Sequence, residues 1–439
     1  MEERRKMRCA PPAGGAQTGP FSEAEKTAPL PPVPGAQPVY GAAEKRLVLA
    51  ALALGAACRA IPLAEALWSY SAFWAAFTLV FLVWQWPRAR RNATAWLVLG
   101  AAAALLVLLP YQAELDYMGW MMFPGLLAIP CTLMLYAVFV LYDVPAGREG
   151  MAVLGLIYGF FVLPFSSIGR FFGAVQAALR GRDGRLGGAL RPVLIGLLAG
   201  VPLLLLVLTL LRRADARMDA LLCALLDGVQ VGACLRTLAI VLAVALPVYS
   251  FLYGGRHRLP PLGPLPDAVW SATTLLVAMA LPLLAYALFL GLQFSYLFGG
   301  VLPQAYTYSE YANAGFRELV AVSLINFTLL ALSVRYGAQT GALRLCEWLL
   351  LLSTALLLAS AVLRLLLYVG AYGLTMRRIL SLWLMAYLAV LTALTAVRLV
   401  KTRLPLTRVM GVALLYWYAA LYLPDWAALI GRYNAALHG

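Results

Sequence analysis

Residues 121–142, MMFPGLLAIPCTLMLYAVFVLY, form an apolar run without a single charged side chain. About 20 apolar residues in a helix cross a hydrocarbon core about 30 Å thick. Lipid offers no hydrogen-bond partner to the backbone, so a run of this kind must form a helix. Similar runs recur on both sides of it through residues 45–439. They predict an all-α fold, a polytopic bundle of transmembrane helices.

The composition and the distribution of charge agree with that fold class. Hydrophobic residues make up 63% of the chain and charged residues 12%, against about 45–50% and about 25% in soluble globular proteins. The net charge of +15 lies in clusters between apolar runs, such as 88–91 and 180–191. Cytoplasmic loops have this pattern under the positive-inside rule. It favours membrane topology over a nucleic-acid partner, and the basic loops predict contact with anionic lipid.

The apolar runs predict about eleven spans in the cell membrane, with a cytoplasmic N-terminus and the C-terminus outside. Residues 1–44 are rich in Pro, Ala and Gly and predict a disordered cytoplasmic tail. Residues 218–234 contain two aspartates and predict an amphipathic surface helix. The predicted spans are 47–61, 70–86, 93–109, 121–142, 192–211, 235–253, 268–294, 317–335, 346–369, 376–400 and 405–423.

Residues 151–172 interrupt the alternation of spans and loops. They are apolar, yet the loop that follows carries several arginines, from Arg170 to Arg191. A full crossing would place those arginines outside the cell, against the positive-inside rule. We therefore favour a re-entrant or interfacial element that is broken at Pro164. A full crossing, or a different number of earlier spans, stays open as the alternative.

The polar stretch 292–319, LQFSYLFGGVLPQAYTYSEYANAGFREL, joins two predicted spans. Thr307 and Glu310 have the spacing of a capping box. The helix that follows brings tyrosine and glutamate side chains to one face. We predict a polar site at the outer membrane face from the residues Gln293, Tyr308, Glu310, Tyr311 and Glu318. A belt of interfacial tyrosines with a capping glutamate is the alternative.

A second polar stretch, 364–378, RLLLYVGAYGLTMRR, adds Arg364, Tyr368, Tyr372 and Arg377 to the predicted site. A cation near the bilayer centre costs about 2.5–3.5 kcal/mol unless it is paired or reaches water. We therefore predict an ion pair between Arg364 and Glu318, with Glu310 as the second candidate. The alternative is that Arg364 extends to the lipid headgroups.

These motifs resemble a bacterial membrane-protein family known as domain of unknown function four-one-seven-three. The resemblance rests on 293–300, 307–319 and 364–378, with a weaker mark at 210–218, and covers about residues 190–400. The chain departs from the family at Asn313 and Ala314, where two arginines are usual, and at Arg317, where an aromatic residue is usual. The resemblance implies a multispanning protein of the bacterial inner membrane and implies no reaction.

Three classes of function are compatible with these features. Ionisable residues inside the membrane favour solute transport or a permease-like role at the outer polar site. The lack of a visible inverted repeat favours a non-transporting envelope or signalling scaffold, whose protein partner the sequence does not identify. An integral-membrane enzyme acting on a lipid head group is the third class. No nucleophile–base pair supports it, and two histidines without any CxxC pair predict no metal and no cofactor.

Overall fold

The computed structural model describes residues 40–60, 67–114, 119–142, 144–145, 149–179, 231–257, 259, 270–298, 316–402 and 404–438, with isolated positions at 196, 200, 204 and 207. Across these ranges the regular elements are helices, and Trp270 and Gly337 form an isolated β-bridge. The predicted all-α fold is therefore confirmed there. Residues 1–39 of the predicted tail 1–44, residues 218–230 of the predicted surface helix 218–234 and nearly all of the predicted span 192–211 lie outside the described residues.

We number the helices of the described ranges α1 to α15 in chain order. A short π-helical segment, Tyr158–Val162, connects α6 to α7. The helices are α1 Ala42–Ala60, α2 Leu67–Trp84, α3 Trp86–Ala89, α4 Ala93–Glu114, α5 Gly119–Tyr142, α6 Gly150–Ile157, α7 Leu163–Ser166, α8 Ile168–Leu179, α9 Val231–His257, α10 Ala272–Phe298, α11 Phe316–Tyr336, α12 Gly341–Tyr372, α13 Met376–Val400, α14 Leu406–Ala420 and α15 Trp426–His438.

The count of eleven spans is not confirmed. Seven of the described helices are long and apolar enough to cross a membrane, or eight if the bent segment 150–178 is one span. α1 is not among them because it carries Glu44, Lys45, Arg46 and Arg59. The apolar parts of α11 and α14 are shorter than a span. Each of these segments contains an apolar run, and the sequence prediction therefore counted each as a full span.

The helices pack in two groups that α14 connects. The first helical group consists of α1, α2 and α4–α9, and its closest packing is between α1 and α9 and between α4 and α5. The second helical group consists of α10–α13, in which α12 contacts α10, α11 and α13. α14 packs on α4 from one group and α13 from the other. Buried apolar side chains fill both groups, as expected where helices bury one face against each other.

One end of the bundle collects basic side chains, and we call it the basic end. Arg88 Nη1 donates to the Gly255 carbonyl at 2.9 Å, so the arginine clusters 88–91 and 256–257 lie at the same end. His257 lies 3.4 Å from Glu44, and Arg408 lies 3.6 Å from Glu149. These contacts agree with the prediction that the basic clusters share one side of the membrane.

The segment from α6 to α8 is bent by 45° between Ser166 and Ile168. The buried Ser250 hydroxyl accepts from the Ser167 backbone N–H at 2.8 Å and donates to the Leu163 carbonyl at 2.9 Å. A helix would join those two backbone groups directly, so the inserted hydroxyl accounts for the bend. The sequence predicted a break at Pro164, and the bend lies at Ser167, three residues later.

Both arms of this bent segment begin or end near the basic end. Before α6, Glu149 accepts from the Thr407 hydroxyl at 2.6 Å. On α8, a Cβ atom at Gly173 would overlap the hydroxyl of Tyr40, which lies just before α1. These contacts favour the re-entrant interpretation over a full crossing.

Candidate functional site

Buried polar side chains line the contact between α11 and α12. Asn326 and Ser333 are seven residues apart on α11, so they lie on one face of the helix. α12 presents Glu347 and Thr354, also seven residues apart, on the facing side. Each of these four side chains is at most 1% exposed. We call them, together with Tyr286 of α10, the polar seam.

The middle of the polar seam is a chain of side-chain hydrogen bonds across three helices. Tyr286 Oη donates to Asn326 Oδ1 at 2.7 Å, and Asn326 Nδ2 donates to Thr354 Oγ1 at 2.9 Å. The Thr354 hydroxyl donates in turn to the Leu350 carbonyl at 2.7 Å. An unpaired amide in hydrocarbon would cost several kcal/mol. The chain therefore ties α10, α11 and α12 together and leaves this level of the seam paired.

Glu347 forms the second level of the polar seam, nearer the basic end. The Ser333 hydroxyl donates to Glu347 Oε1 at 2.5 Å. Among the described residues, no Lys, Arg or His nitrogen lies within 4.0 Å of this carboxylate. An ionised carboxyl group in an apolar interior is costly without a partner. The buried carboxyl group of Glu347 is therefore the leading candidate for a functional residue in this part of the molecule.

A small polar pocket of about 110 Å³ adjoins Glu347 and opens on one side. It lies where the last turns of α11 and α13 meet the first turns of α12. Two arginines on its wall supply positive charge near the carboxylate without reaching it. The lining residues are Val334, Gln339, Arg344, Glu347, Arg398, Leu399 and Thr402. Glu347 therefore lies on the wall of a pocket at the basic end.

The two levels of the polar seam are about two helical turns apart. Seven residues at 1.5 Å each correspond to about 10 Å along α11 and along α12. The middle level is closed by side-chain hydrogen bonds, and the level at Glu347 borders the pocket. The arrangement is a buried carboxyl group beside a pocket at the basic end, with a hydrogen-bonded cluster of polar side chains about 10 Å further along the helices.

Part of the outer site predicted from the sequence lies within the described residues. Glu318 is exposed in the first turn of α11, and Arg364 is half-buried in the last third of α12. The Arg364–Glu318 ion pair stays a prediction. Tyr308, Glu310 and Tyr311 lie outside the described residues, as does the side chain of Gln293.

The predicted residues near the end of α12 build a turn. Arg378 Nη1 donates to the Tyr372 carbonyl at 2.9 Å and also to the Gly373 carbonyl. Its guanidinium carbon lies 4.0 Å from the ring centre of Tyr368, and the rings of Tyr368 and Tyr372 are 5.1 Å apart. Cation–π stacking of this kind holds an arginine in place. The neighbouring Arg377, which the sequence predicted for the site, is exposed.

Asn434 of α15 clamps the same turn from the other side. Its Oδ1 accepts from the Leu374 N–H at 2.6 Å, and its Nδ2 donates to the Leu374 carbonyl at 3.0 Å. Gly373 has φ +78°, a conformation that side chains disfavour, and a Cβ atom there would lie 2.7 Å from Asn434 Oδ1. The motif 364–378 is therefore at least partly architectural.

Sequence reasoning missed Glu347, Ser333 and Asn326. Glu347 stands at the start of an apolar run in the sequence, but the prediction used this glutamate only to mark where the run begins. Asn326 and Ser333 gave no signal of their own, because their significance depends on which helix faces them. In the described ranges there is no group of three or more His, Cys, Asp or Glu that could hold a metal.

Comparison with known proteins gives one match. The model of a family described as Domain of unknown function (DUF4153) matches residues 97–438. No curated protein and no solved structure matches the chain. The motifs predicted a family of this kind, but the matching family carries the number 4153, whereas the predicted number was 4173.

Proposed function

The chain belongs to the family described as domain of unknown function DUF4153, and we propose that it moves a proton or a small cation through the membrane along the polar seam. It is a multi-pass membrane protein, with several helices apolar enough to span the bilayer. The function we propose is a transport function in which Glu347 is the site that binds and releases the ion. This retains the permease-like role predicted from the sequence and moves its centre from the outer face to the α11–α12 contact.

The observation that carries the proposal is the buried carboxyl group of Glu347. It is 1% exposed, its described hydrogen-bond donor is the uncharged Ser333, and it borders a pocket. A carboxyl group kept only for packing would be replaced at no loss by an apolar residue. Ionisable residues inside membranes mark ion pathways and proton relays.

The predicted outer residues extend the same pair of helices in the other direction. Glu318 precedes Asn326 by eight residues on α11, and Arg364 follows Thr354 by ten residues on α12. At 1.5 Å per residue these steps correspond to about 12 and 15 Å. α11 and α12 thus carry polar groups over most of their length, which supports a path along their contact.

We also propose that the basic end faces the cytoplasm. This end carries Arg88, Arg90, Arg91 and Arg256, and the positive-inside rule assigns such clusters to the cytoplasmic side. α1 starts at the same end, since Glu44 in its first turn lies 3.4 Å from His257. The N-terminus is therefore cytoplasmic in this proposal.

The test is ion flux in proteoliposomes that contain the full chain. A trapped pH-sensitive dye reports protons, and trapped fluorescent indicators report Na⁺ and K⁺. We expect flux above that of empty vesicles for at least one of these ions, lost in Glu347→Gln. Asp425→Asn is the matched control, because Asp425 is an exposed acid outside the seam whose loss leaves flux unchanged. Equal flux in wild type and Glu347→Gln, or none above empty vesicles for any of the three ions, would overturn the proposal.

A second candidate function is a non-transporting scaffold of the cell envelope. The observation that favours it is the clasp around Gly373, where Arg378 and Asn434 hold a turn instead of lining a cavity. If the protein is a scaffold, a stable protein partner should co-purify with the wild type and with Glu347→Gln alike. Loss of flux in Glu347→Gln would separate the two functions.

A further inference from the structure

The first helical group contains an apolar cleft of about 190 Å³ that the proposed ion path does not use. It lies among α2, α5, α9 and the bent segment, and its wall is almost wholly apolar. Aromatic rings and prolines dominate the lining. The residues are Phe73, Trp74, Phe77, Pro130, Leu133, Met134, Ala137, Phe160, Pro164, Pro247, Val248 and Phe251.

Three prolines from three different segments account for this gap in the packing. Pro130 lies inside α5, Pro247 inside α9, and Pro164 follows the π-helical segment Tyr158–Val162. A proline inside a helix removes a backbone hydrogen bond and bends the chain. All three prolines line the cleft. The cleft is the space that remains between these three segments.

The depth of the cleft places it in the membrane leaflet at the basic end. Phe251 precedes Arg256 by five residues on α9, which corresponds to about 8 Å. On α2, Phe77 precedes Trp84 by seven residues, or about 10 Å. The rings of Phe77 and Phe251 are 6.0 Å apart. The upper edge of the cleft therefore lies about 8–10 Å below the basic end, at the depth of acyl chains.

Positive charge at the basic end directly above the cleft has no acidic partner. The Arg256 guanidinium lies 4.7 Å from the ring centre of Trp84, and Arg88 caps the last turn of α9 through Gly255. Within the described ranges no carboxylate lies within 4.0 Å of either arginine. Burial, and to a lesser extent the charge of Arg256, lowers the pKa of Arg88. The charges of these two guanidinium groups repel each other, so an anion bound beside them is favoured.

We propose that one anionic phospholipid of this leaflet binds here, with its phosphate at Arg256 and Arg88 and one acyl chain in the cleft. Moving an acyl chain from the bilayer into the cleft gains no hydrophobic free energy, because the surrounding lipid tails are equally apolar. Filling the cleft restores van der Waals contacts that its lining would otherwise lack. The arginines then select the headgroup, since each basic residue near a membrane surface attracts anionic lipid by about 1 kcal/mol.

Photo-crosslinking with two phospholipids tests the proposal. Full-length protein is reconstituted in vesicles that contain either phosphatidylglycerol or phosphatidylcholine with a photoactivatable group in the acyl chain. Crosslinks to the first lipid are expected in the peptides around 73–77, 160–164 and 247–251. They should exceed crosslinks to the second lipid by about thirtyfold, the ratio that about 2 kcal/mol from two arginines gives.

Two arginine variants supply the control. Arg256→Gln should reduce the preference at these peptides about fivefold, because only Arg88 remains. Arg335→Gln should leave the preference intact, because Arg335 also lies over a ring, 5.6 Å from that of Tyr336, but does not lie above the cleft. High salt should reduce the preference as it screens the arginines.

Equal labelling by both lipids in the wild type, or crosslinks spread over other helices, would overturn the proposal. An unchanged preference in Arg256→Gln would do the same. The crosslink positions and the lipid preference are first read in the wild-type protein, and that part of the test does not depend on whether a variant folds. It is also independent of ion flux, so its failure leaves the proposed function in place.

Discussion

The two helical groups place their buried polar side chains in different roles. In the first group these side chains bond to backbone groups: Trp84 Nε1 donates to the Leu252 carbonyl at 3.0 Å, and Ser250 bridges the break between Leu163 and Ser167. In the second group the side chains of Tyr286, Asn326 and Thr354 bond to each other across three helices, and the Thr354 hydroxyl also donates to the Leu350 carbonyl. Hydrogen bonds to backbone groups fix the positions of the helices. Side-chain partners can exchange, which is what an ion path needs.

The first group also depends on close helix approach, and this gives the largest expected effect. A Cβ atom at Gly55 of α1 would overlap the backbone carbonyl of Val241 on α9. Gly55→Leu should destabilise the protein by about 3 kcal/mol, because the helices must separate. Gly411→Leu is the control, since a Cβ atom at Gly411 meets nothing within 4 Å. Equal unfolding of both variants in mixed micelles would contradict the packing described for α1 and α9.

Ser250→Ala asks whether a side chain holds the bend of the α6–α8 segment. The change leaves the Leu163 carbonyl and the Ser167 N–H without this partner, at a cost of about 1–3 kcal/mol. Distances between spin labels on α6 and α8 should lengthen if the segment straightens. Ser353→Ala serves as comparison, since Ser353 bonds only to the Leu349 carbonyl of its own helix. No change in stability or in label distance would show that Ser250 is not responsible.

Asn434→Ala tests a backbone clamp at the edge of the second group. Both hydrogen bonds to Leu374 are lost, and the expected cost is about 1–2 kcal/mol in the free energy of unfolding. Limited proteolysis should also cut near Gly373 in the variant. Tyr433→Phe, at the exposed neighbouring position, should behave as wild type. A variant that resists proteolysis as well as wild type would show that Arg378 alone holds the turn.

Asn326→Leu should have the smallest effect on stability. Intramembrane hydrogen bonds between side chains average about 0.6 kcal/mol, and leucine fills a similar volume. We expect a loss below about 1 kcal/mol together with reduced ion flux, because the relay between Tyr286 and Thr354 is broken. Thr328→Leu, on the lipid-facing side of α11, should change neither. A large loss of stability with unchanged flux would assign the seam to architecture.

The sequence predicted the helices that hydropathy alone determines. The predicted spans 121–142 and 376–400 agree with α5 and α13 within two residues at each end. Apolar length decides such helices because lipid leaves the backbone no alternative. The predicted total of eleven is not confirmed, because α1 carries four charged residues, the apolar parts of α11 and α14 are short, and nearly all of 192–211 lies outside the described residues.

Features that depend on distant partners were not predictable. The bend at Ser167 needs Ser250, which is 83 residues away in the chain. The shared burial of Ser333 and Glu347 requires the pairing of α11 with α12. Arg378, which stacks on Tyr368, and Arg377, which is exposed, are adjacent identical residues that differ only in helix face. Sequence reasoning identified the motif but could not assign the two arginines.

Labelling with a hydrophobic carbodiimide tests the central claim about Glu347 most directly, because this reagent modifies protonated carboxyl groups in apolar surroundings. In proteoliposomes we expect modification of Glu347, identified by mass spectrometry, that declines as the transported cation is added. Glu347→Gln should lose the modified peptide. If Glu347 stays unmodified, or is modified equally with and without the cation, its carboxyl group is not the ion site.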